Sequence, residues 1–300
     1  MTITIVKPTL ELRPFVKYFW TASGVDKPYH LFFYANANTK MIFSAGAKFA
    51  FLSNSDRNFS ETFMMDNHMN NGLTQETFAG IIGASSQYSF IKIYVPMNIT
   101  GVEFTETGAY NYLHHDLTSY SNKLTSIEHA RCSNLSKLQD TMCCAASNCN
   151  ERVIQLISHF SKNIQTNTRY NQDTDMVKEM LYAPYSSKHA DIQTIANHYN
   201  TNERQICRIM HKYVGISLDE TMRLRRFHEA LKKIAVEQSA PLNDVALSCY
   251  YDQSHMNREF KKYCGHTPKT IKKHLASAAT IYKSDDLTIK ESKSGIITFL

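Results

Sequence analysis

The sequence predicts an α+β chain: a β-rich, barrel- or sandwich-like N-terminal domain with accessory helices, then an all-α domain with two helix-turn-helix units joined by a long helix. Three observations carry this prediction. The first half has β-branched and aromatic runs separated by turn residues. The C-terminal third repeats itself at an offset of fifty residues. The basic excess of the chain is confined to that same third. A length of 300 residues leaves room for two cores. Apolar content of 43% and charged content of 20% are ordinary for globular chains and exclude wholesale disorder. No apolar run approaches the roughly 18 residues of a membrane span, and residues 1–10 lack a secretory leader, so a cytoplasmic protein with no membrane partner is expected.

Residues 1–165 are expected to form a β-rich domain for sensing, regulation or dimerisation. Its strands are expected at Leu31–Tyr34, Lys40–Phe43, Phe49–Leu52, Gly80–Gly83 and Phe90–Val95. Trp20, Tyr34 and Tyr94 can line a small-molecule pocket, although aromatic side chains in β-rich domains usually serve as plain core. Glu151–Ile164 places Val153, Ile154, Leu156, Ile157 and Phe160 in an amphipathic pattern, suited to packing on the barrel or pairing with a second subunit. His114, His115 and Asp116 are adjacent and therefore diverge, so they form no ligand set.

The seven cysteines (Cys132, Cys143, Cys144, Cys149, Cys207, Cys249 and Cys264) are odd in number and lack any C-x-x-C pair. Reduced thiols are expected, with no metal and no cofactor.

A polar linker is expected at 166–172, then a reader domain at 173–275. Residues 186–283 carry 16 Lys or Arg against 9 Asp or Glu, whereas the remainder is close to neutral. Such a local excess points to a polyanionic partner. In the repeat, Ile195-Ala196 matches Val245-Ala246, Asn202 matches Asp252, Arg208 matches Arg258, Tyr213 matches Tyr263 and Gly215 matches Gly265. Each copy reads as a short apolar helix (Ile192–His198; Leu242–Ser248), a turn, and a second helix opened by an Asn202 or Asp252 cap. Ile206, Ile209, Met210 and Tyr213 give the second helix of the first copy its buried face; Met256, Phe260 and Tyr263 do so in the second copy. Gly215 and Gly265 end these helices because glycine readily adopts the left-handed conformation.

The two turns differ in their chemistry. Asn200 tolerates a left-handed backbone, whereas Tyr250 at the equivalent position does not, so the second turn is expected to be strained or differently shaped. Ser217-Leu218-Asp219-Glu220 reads as a capping box that starts a helix to about Glu237, long enough to set two recognition helices in successive major grooves. Thr267 and Pro268 start a final helix to about Leu275. Residues 276–300 are unassigned, with 295–300 able to add a strand or to stay disordered.

The stretch from Asp173 to Leu275 resembles the AraC/XylS-type DNA-binding domain. The resemblance rests on Ile195-Ala196, Arg208, Arg223-Leu224-Arg225-Arg226-Phe227-His228-Glu229-Ala230-Leu231, Asp252-Gln253-Ser254-His255, Arg258, Phe260-Lys261-Lys262 and Gly265-His266-Thr267-Pro268. Leu12–Trp20 and Gly101–Tyr110 also resemble an N-terminal domain found before such readers. The second turn departs from the family by being one residue shorter and lacking a Gly.

The resemblance implies a transcription regulator, often an activator, whose double-stranded promoter DNA is read by two helices of one chain. By position it implicates Arg204, Gln205, Cys207 and Arg208 in the first unit, and Gln253, Ser254, His255, Asn257 and Arg258 in the second. Lys212, Lys261 and Lys262 suit phosphate contacts, and Cys207 carries little capacity for base readout. RNA polymerase, an effector for the N-terminal domain and a second copy of the chain are further candidate partners.

Two other functions compete with this one. A co-regulator or partner-binding protein would bind DNA without specificity because of its shortened second unit. An alkyl-transfer repair enzyme fused to the same reader would need a zinc-holding Cys set that Cys132, Cys143, Cys144 and Cys149 do not reproduce. A non-enzymatic regulator is therefore expected.

Overall fold

The computed structural model describes residues 2–24, 29–45, 49–53, 77–93, 97–127, 133–142, 148–164, 172–182, 192–236, 241–283, 288–291 and 296–299. In chain order the first half contains β1 (Thr2–Val6), β2 (Val16–Gly24), β3 (Tyr29–Phe33), β4 (Lys40–Ala45), β5 (Phe49–Ser53), β6 (Thr77–Ile82), β7 (Ser89–Ile93) and β8 (Met97–Phe104). Helix α1 (Gly108–Leu113), a 3₁₀ turn (Leu117–Tyr120), β9 (Leu124–Ser126), α2 (Ser133–Met142) and α3 (Cys149–Asn163) follow. The helical region comprises α4 (Gln172–Tyr182), α5 (Ile192–His198), α6 (Glu203–Val214), α7 (Leu218–Val236), α8 (Leu242–Cys249), α9 (Gln253–Cys264) and α10 (Pro268–Ser277). Three strands end the chain: β10 (Ala279–Lys283), β11 (Thr288–Glu291) and β12 (Ile296–Phe299).

The strands form two six-stranded sheets, ordered β1-β2-β8-β4-β6-β9 and β10-β11-β12-β3-β7-β5. Alternation along each strand decides what lies on either face. Trp20, Ile42, Phe78, Ile82 and Ile99 of the first sheet share a core with Leu31, Phe33 and Ile91 of the second, so the sheets pack face to face as a sandwich. The intervening residues Phe19, Met41, Phe43, Ile81, Val102 and Phe104 form a second core under α1, α2 and α3. With both faces covered, β4 is buried along its whole length, Lys40 and Ser44 included, which explains why Met41-Ile42-Phe43 reads as three apolar residues in a row and not as an alternation.

The two N-terminal motifs are neighbours in space. β2 pairs with β8 in antiparallel register, Val16 opposite Phe104 and Trp20 opposite Gly101. The indole of Trp20 lies flat against Gly101, where any Cβ would collide with its ring. Thr105 Oγ1 donates to the Pro14 carbonyl at 2.9 Å, tying the ends of the two motifs together.

Helix α3 is started by Asn148, whose Oδ1 accepts from Glu151 N at 2.9 Å, while Glu151 Oε2 accepts from Asn148 N at 3.3 Å. Val153, Leu156 and Phe160 face the sheet, and Phe160 meets the rings of Phe19, Phe104 and Tyr112. Ile154 points away and is exposed, so the amphipathic helix packs on the sandwich through only part of its apolar pattern.

The tail rejoins the sandwich. β10, β11 and β12 pair in antiparallel succession, and β12 then runs parallel to β3, with Ile297 opposite Leu31. The tail thus supplies half the strands of the second sheet, and the helical region lies between two stretches of one sandwich. The expected linker lies outside the described residues except for Gln172, which opens α4.

Candidate nucleic-acid interface

Both predicted helix-turn-helix units form. In the first, Asn202 Oδ1 accepts from Gln205 N at 2.9 Å, starting α6. Its apolar positions Ile206, Ile209, Met210, Tyr213 and Val214 are all buried. Gly215 closes the helix at φ 94°, donating to His211 O at 2.8 Å. Arg204, Cys207 and Arg208 are left exposed along one face, with Gln205 half-buried beside them. Lys212 is drawn off that face: its ammonium lies 5.2 Å from the centre of the Tyr110 ring and 5.4 Å from that of Tyr213.

In the second unit Asp252 Oδ1 accepts from His255 N at 2.7 Å and starts α9, which Gly265 ends at φ 77°. Met256, Phe260 and Tyr263 are buried as the spacing predicts. Gln253, Ser254, Arg258, Lys261 and Lys262 are exposed, and Asn257 is half-buried. Lys262 reaches back to Glu220 Oε1 at 2.6 Å. This gives Glu220 a partner outside the capping box, of which Ser217 Oγ accepting from Glu220 N at 3.2 Å supplies the forward half.

His255 differs from the other predicted readers. Its Nε2 lies 3.3 Å from Glu259 Oε1 and its ring stands edge-on to Tyr250, so it faces the protein. Glu259 is 6% exposed and accepts from Arg226 Nη2 at 2.7 Å. The Arg226 guanidinium in turn lies 5.2 Å from the centre of the Tyr250 ring. Sequence reasoning missed this cluster, although the i, i+4 spacing of His255 and Glu259 was a signal for it.

The turns differ as their sequences predict. Asn200 adopts φ 50°, and Thr201 N closes the turn onto Ala196 O at 2.8 Å. Tyr250 is extended, at φ −131° and ψ 167°, with its N–H on Ala246 O at 2.7 Å. The second turn is therefore reshaped and unstrained.

Helix α7, 19 residues and about 28 Å long, joins the two units in the chain. The N-terminal sandwich and its helices hold the C-terminal ends of α6 and α9. Ser121 Oγ donates to Gly215 O at 2.6 Å, and Thr118 Oγ1 donates to His211 O at 3.1 Å. The Tyr88 ring packs over Gly265, and Ala35 N donates to Tyr263 O at 3.0 Å. Between them the His228 ring of α7 donates through Nε2 to Ala35 O at 2.7 Å. Burial pushes His228 down to about 4 despite this bond, with the positive charges of Lys17 and Lys40 assisting and Glu103 opposing.

Of the expected pocket residues, Trp20 and Tyr34 do not converge. Trp20 belongs to the core between the sheets, whereas Tyr34 meets Phe227 edge-on in the core shared with the helical region. Tyr94 lies outside the described residues. A different polar group is buried nearby: Glu103 accepts from Tyr18 Oη at 2.6 Å and Asn38 Nδ2 at 3.0 Å, with Lys40 Nζ at 3.7 Å. Burial alone would raise the Glu103 carboxyl, but Lys40 and Lys17 with these two donors hold it below its ordinary value.

No helix among the described residues is long and apolar enough to cross a membrane. Cys207 is exposed, Cys249 half-buried and Cys264 buried; Cys132, Cys143 and Cys144 lie outside the described residues.

A family model described as a helix-turn-helix domain matches residues 195–274, and one described as a domain of unknown function (DUF6597) matches residues 4–126. No curated protein matches the chain. Among solved structures, an apo lysine-to-alanine variant of ToxT from Vibrio cholerae strain SCE256 is 12% identical, covering 86% of this chain and 97% of that one, with a TM-score of 0.42. ToxT from Vibrio cholerae O395 bound to (E)-4-(8-methylnaphthalen-1-yl)but-3-enoic acid is 11% identical, covering 92% of this chain and 100% of that one, with a TM-score of 0.43.

Proposed function

We propose that this chain, whose residues 195–274 match a helix-turn-helix domain, is a DNA-binding transcription regulator of the AraC type, and that α6 and α9 enter successive major grooves on one face of promoter DNA. The observation that carries this reading is the repeat itself. Two capped helices, each with an apolar face inward and a polar face outward, are joined through α7, on whose first half α9 packs by the Arg226–Glu259 and Lys262–Glu220 pairs, and the reading requires them to stand roughly the 34 Å of one duplex turn apart. Arg204, exposed on α6, has the chemistry to grip guanine, and Gln253 and Asn257 have the chemistry to pair with adenine. Arg208, Arg258 and Lys261 supply charge for base edges or phosphates. His255, held by Glu259 and Tyr250, acts by setting the angle of α9 and not by reading bases.

The grip on Gly215 and Gly265 supports regulation by the N-terminal domain. Any change there that moves Ser121 or Tyr88 moves the end of a recognition helix, and release of Tyr110 frees Lys212 for a phosphate. Such a change would come from a small-molecule effector, and the regulator would act as an activator that recruits RNA polymerase. Selection of bound genomic fragments by the purified protein at near-physiological salt, followed by footprinting, tests the reading. Two protected half-elements about one helical turn apart, bound about tenfold more weakly by Arg204→Ala, are expected. Equal recovery of all fragments would replace this reading with non-specific binding by a co-regulator.

A further inference from the structure

We propose that Tyr251 is a DNA-backbone contact of the second unit, its ring against a deoxyribose and its hydroxyl donating to a phosphate beside the second half-element. This rests on the reading of α9 as a recognition helix and adds a residue that positional correspondence does not assign.

The argument begins with the short turn. Tyr250 and Asp252 are both extended, at φ −131° and −151°, and successive side chains of an extended chain point to opposite sides. Tyr250 is 7% exposed, fixed between the Arg226 guanidinium and the His255 ring. Tyr251 must therefore point outward, and it is 85% exposed.

The position is specific as well as exposed. Tyr251 directly precedes the cap of α9, beside exposed Gln253 and Ser254, at the end from which a recognition helix meets the duplex. One turn earlier on α8, Leu247 is 66% exposed. Fifty residues earlier, the equivalent positions are Asn197 and Thr201, both polar. The second unit thus presents an apolar surface with one hydroxyl where the first presents polar groups, within a region of net positive charge. A tyrosine suits a sugar-phosphate contact: its ring covers the apolar deoxyribose and its phenol donates to the charged oxygen.

The test compares wild type with Tyr251→Ala, Tyr251→Phe and Thr201→Ala on a selected site and on an unrelated duplex of equal length. A sugar-phosphate contact reads no sequence, so Tyr251→Ala is expected to bind both duplexes about tenfold more weakly, Tyr251→Phe about threefold, and Thr201→Ala like wild type. The slope of log affinity against log salt stays unchanged, because tyrosine is neutral; Arg258→Ala lowers the slope by about 0.9 if it meets a phosphate. Ethylation interference at one phosphate beside the second half-element disappears in Tyr251→Ala. Thermal melting of Tyr251→Ala matches wild type, since the side chain is exposed.

Unchanged affinity on both duplexes overturns the proposal and leaves the exposed ring to a protein partner. A loss confined to the selected site also overturns it, moving the ring to a base edge. If wild type selects no site, the specific reading of α6 and α9 fails, yet loss on the unrelated duplex still decides the role of Tyr251.

Discussion

The two helix-turn-helix units solve one packing problem in two ways. Met176 of α4 and Ile209 of α6 are buried in a common apolar core, whereas the residues fifty positions on, Arg226 of α7 and Glu259 of α9, form an ion pair. Asn200 turns the chain of the first unit through a left-handed residue, whereas Tyr250 turns the second in an extended conformation. These two differences belong together. With no glycine or asparagine to take a positive φ, the second turn buries a large ring, and that ring needs the cation of Arg226 and the edge of His255 around it. The ion pair is thus part of how the second turn is held. A helix-turn-helix can keep its second helix while the chemistry of its turn changes.

Exchanging the two solutions gives the largest expected effect. Arg226→Met leaves the Glu259 carboxylate buried without its cation, a loss of about 3–5 kcal/mol in denaturant unfolding. The double variant Arg226→Met with Glu259→Ile imports the apolar pair of α4 and α6 and is expected to recover most of that loss. Additive losses would show that the pair does not act as a unit.

Acid separates the units next. His228 is neutral in the folded protein down to about pH 4, while in the unfolded chain it takes a proton near pH 6.5. Its contribution is therefore complete above pH 6.5 and declines as pH falls towards 4, by up to about 3 kcal/mol. Burial also lowers His159, so other groups add to the decline. His228→Gln, which keeps a donor for Ala35 O and does not titrate, is expected to show a shallower fall in melting temperature across this window. An identical pH profile would place the acid sensitivity elsewhere.

The C-terminal ends of α6 and α9 differ less. At Gly215 an added methyl would lie 2.5 Å from Ser121 Oγ and 3.0 Å from the Leu117 carbonyl, with φ at 94°. At Gly265 it would meet the Tyr88 ring at 2.8 Å, the end of a longer side chain, with φ at 77°. Gly215→Ala is expected to cost about 2 kcal/mol and Gly265→Ala about 1 kcal/mol, because both strain the backbone but only the first pushes on a carbonyl. Chemical denaturation of the pair measures the difference; a larger loss at Gly265 would mean that Tyr88 cannot move aside. Asn200→Ala is expected to cost as little as Gly265→Ala, about 1 kcal/mol, from placing an alanine at positive φ.

Local chemistry was legible in the sequence. Asn202, Asp252 and Thr267 cap where their spacing places them, and Gly215 and Gly265 take the left-handed conformation, because caps and glycine stops depend on residues a few positions apart. The strands β4 and β6 were legible as apolar runs. β1 and β9 were not, since short strands at the edge of a sheet carry few buried residues to mark them. The return of the tail to β3 depends on a pairing across most of the chain, and a four-residue strand gives no hint of its partner. Glu259 was hidden for a similar reason: its cation comes from another helix, 33 residues earlier. The exposed face of α6 and of α9 was legible by position, but the inward turn of His255 and the draw of Lys212 towards Tyr110 arise from tertiary contacts.

The claim that both units read one face of a duplex is tested most directly by changing the spacing between the two half-elements of a selected site. With α7 as a rigid spacer, inserting 5 base pairs, about half a turn, moves the second half-element to the opposite face. Affinity is expected to fall to that of the first half-element alone, and footprint protection over the second half-element to vanish. Unchanged affinity with both half-elements still protected would contradict the account, because α6 and α9 could not then be held at a fixed distance by the helix between them.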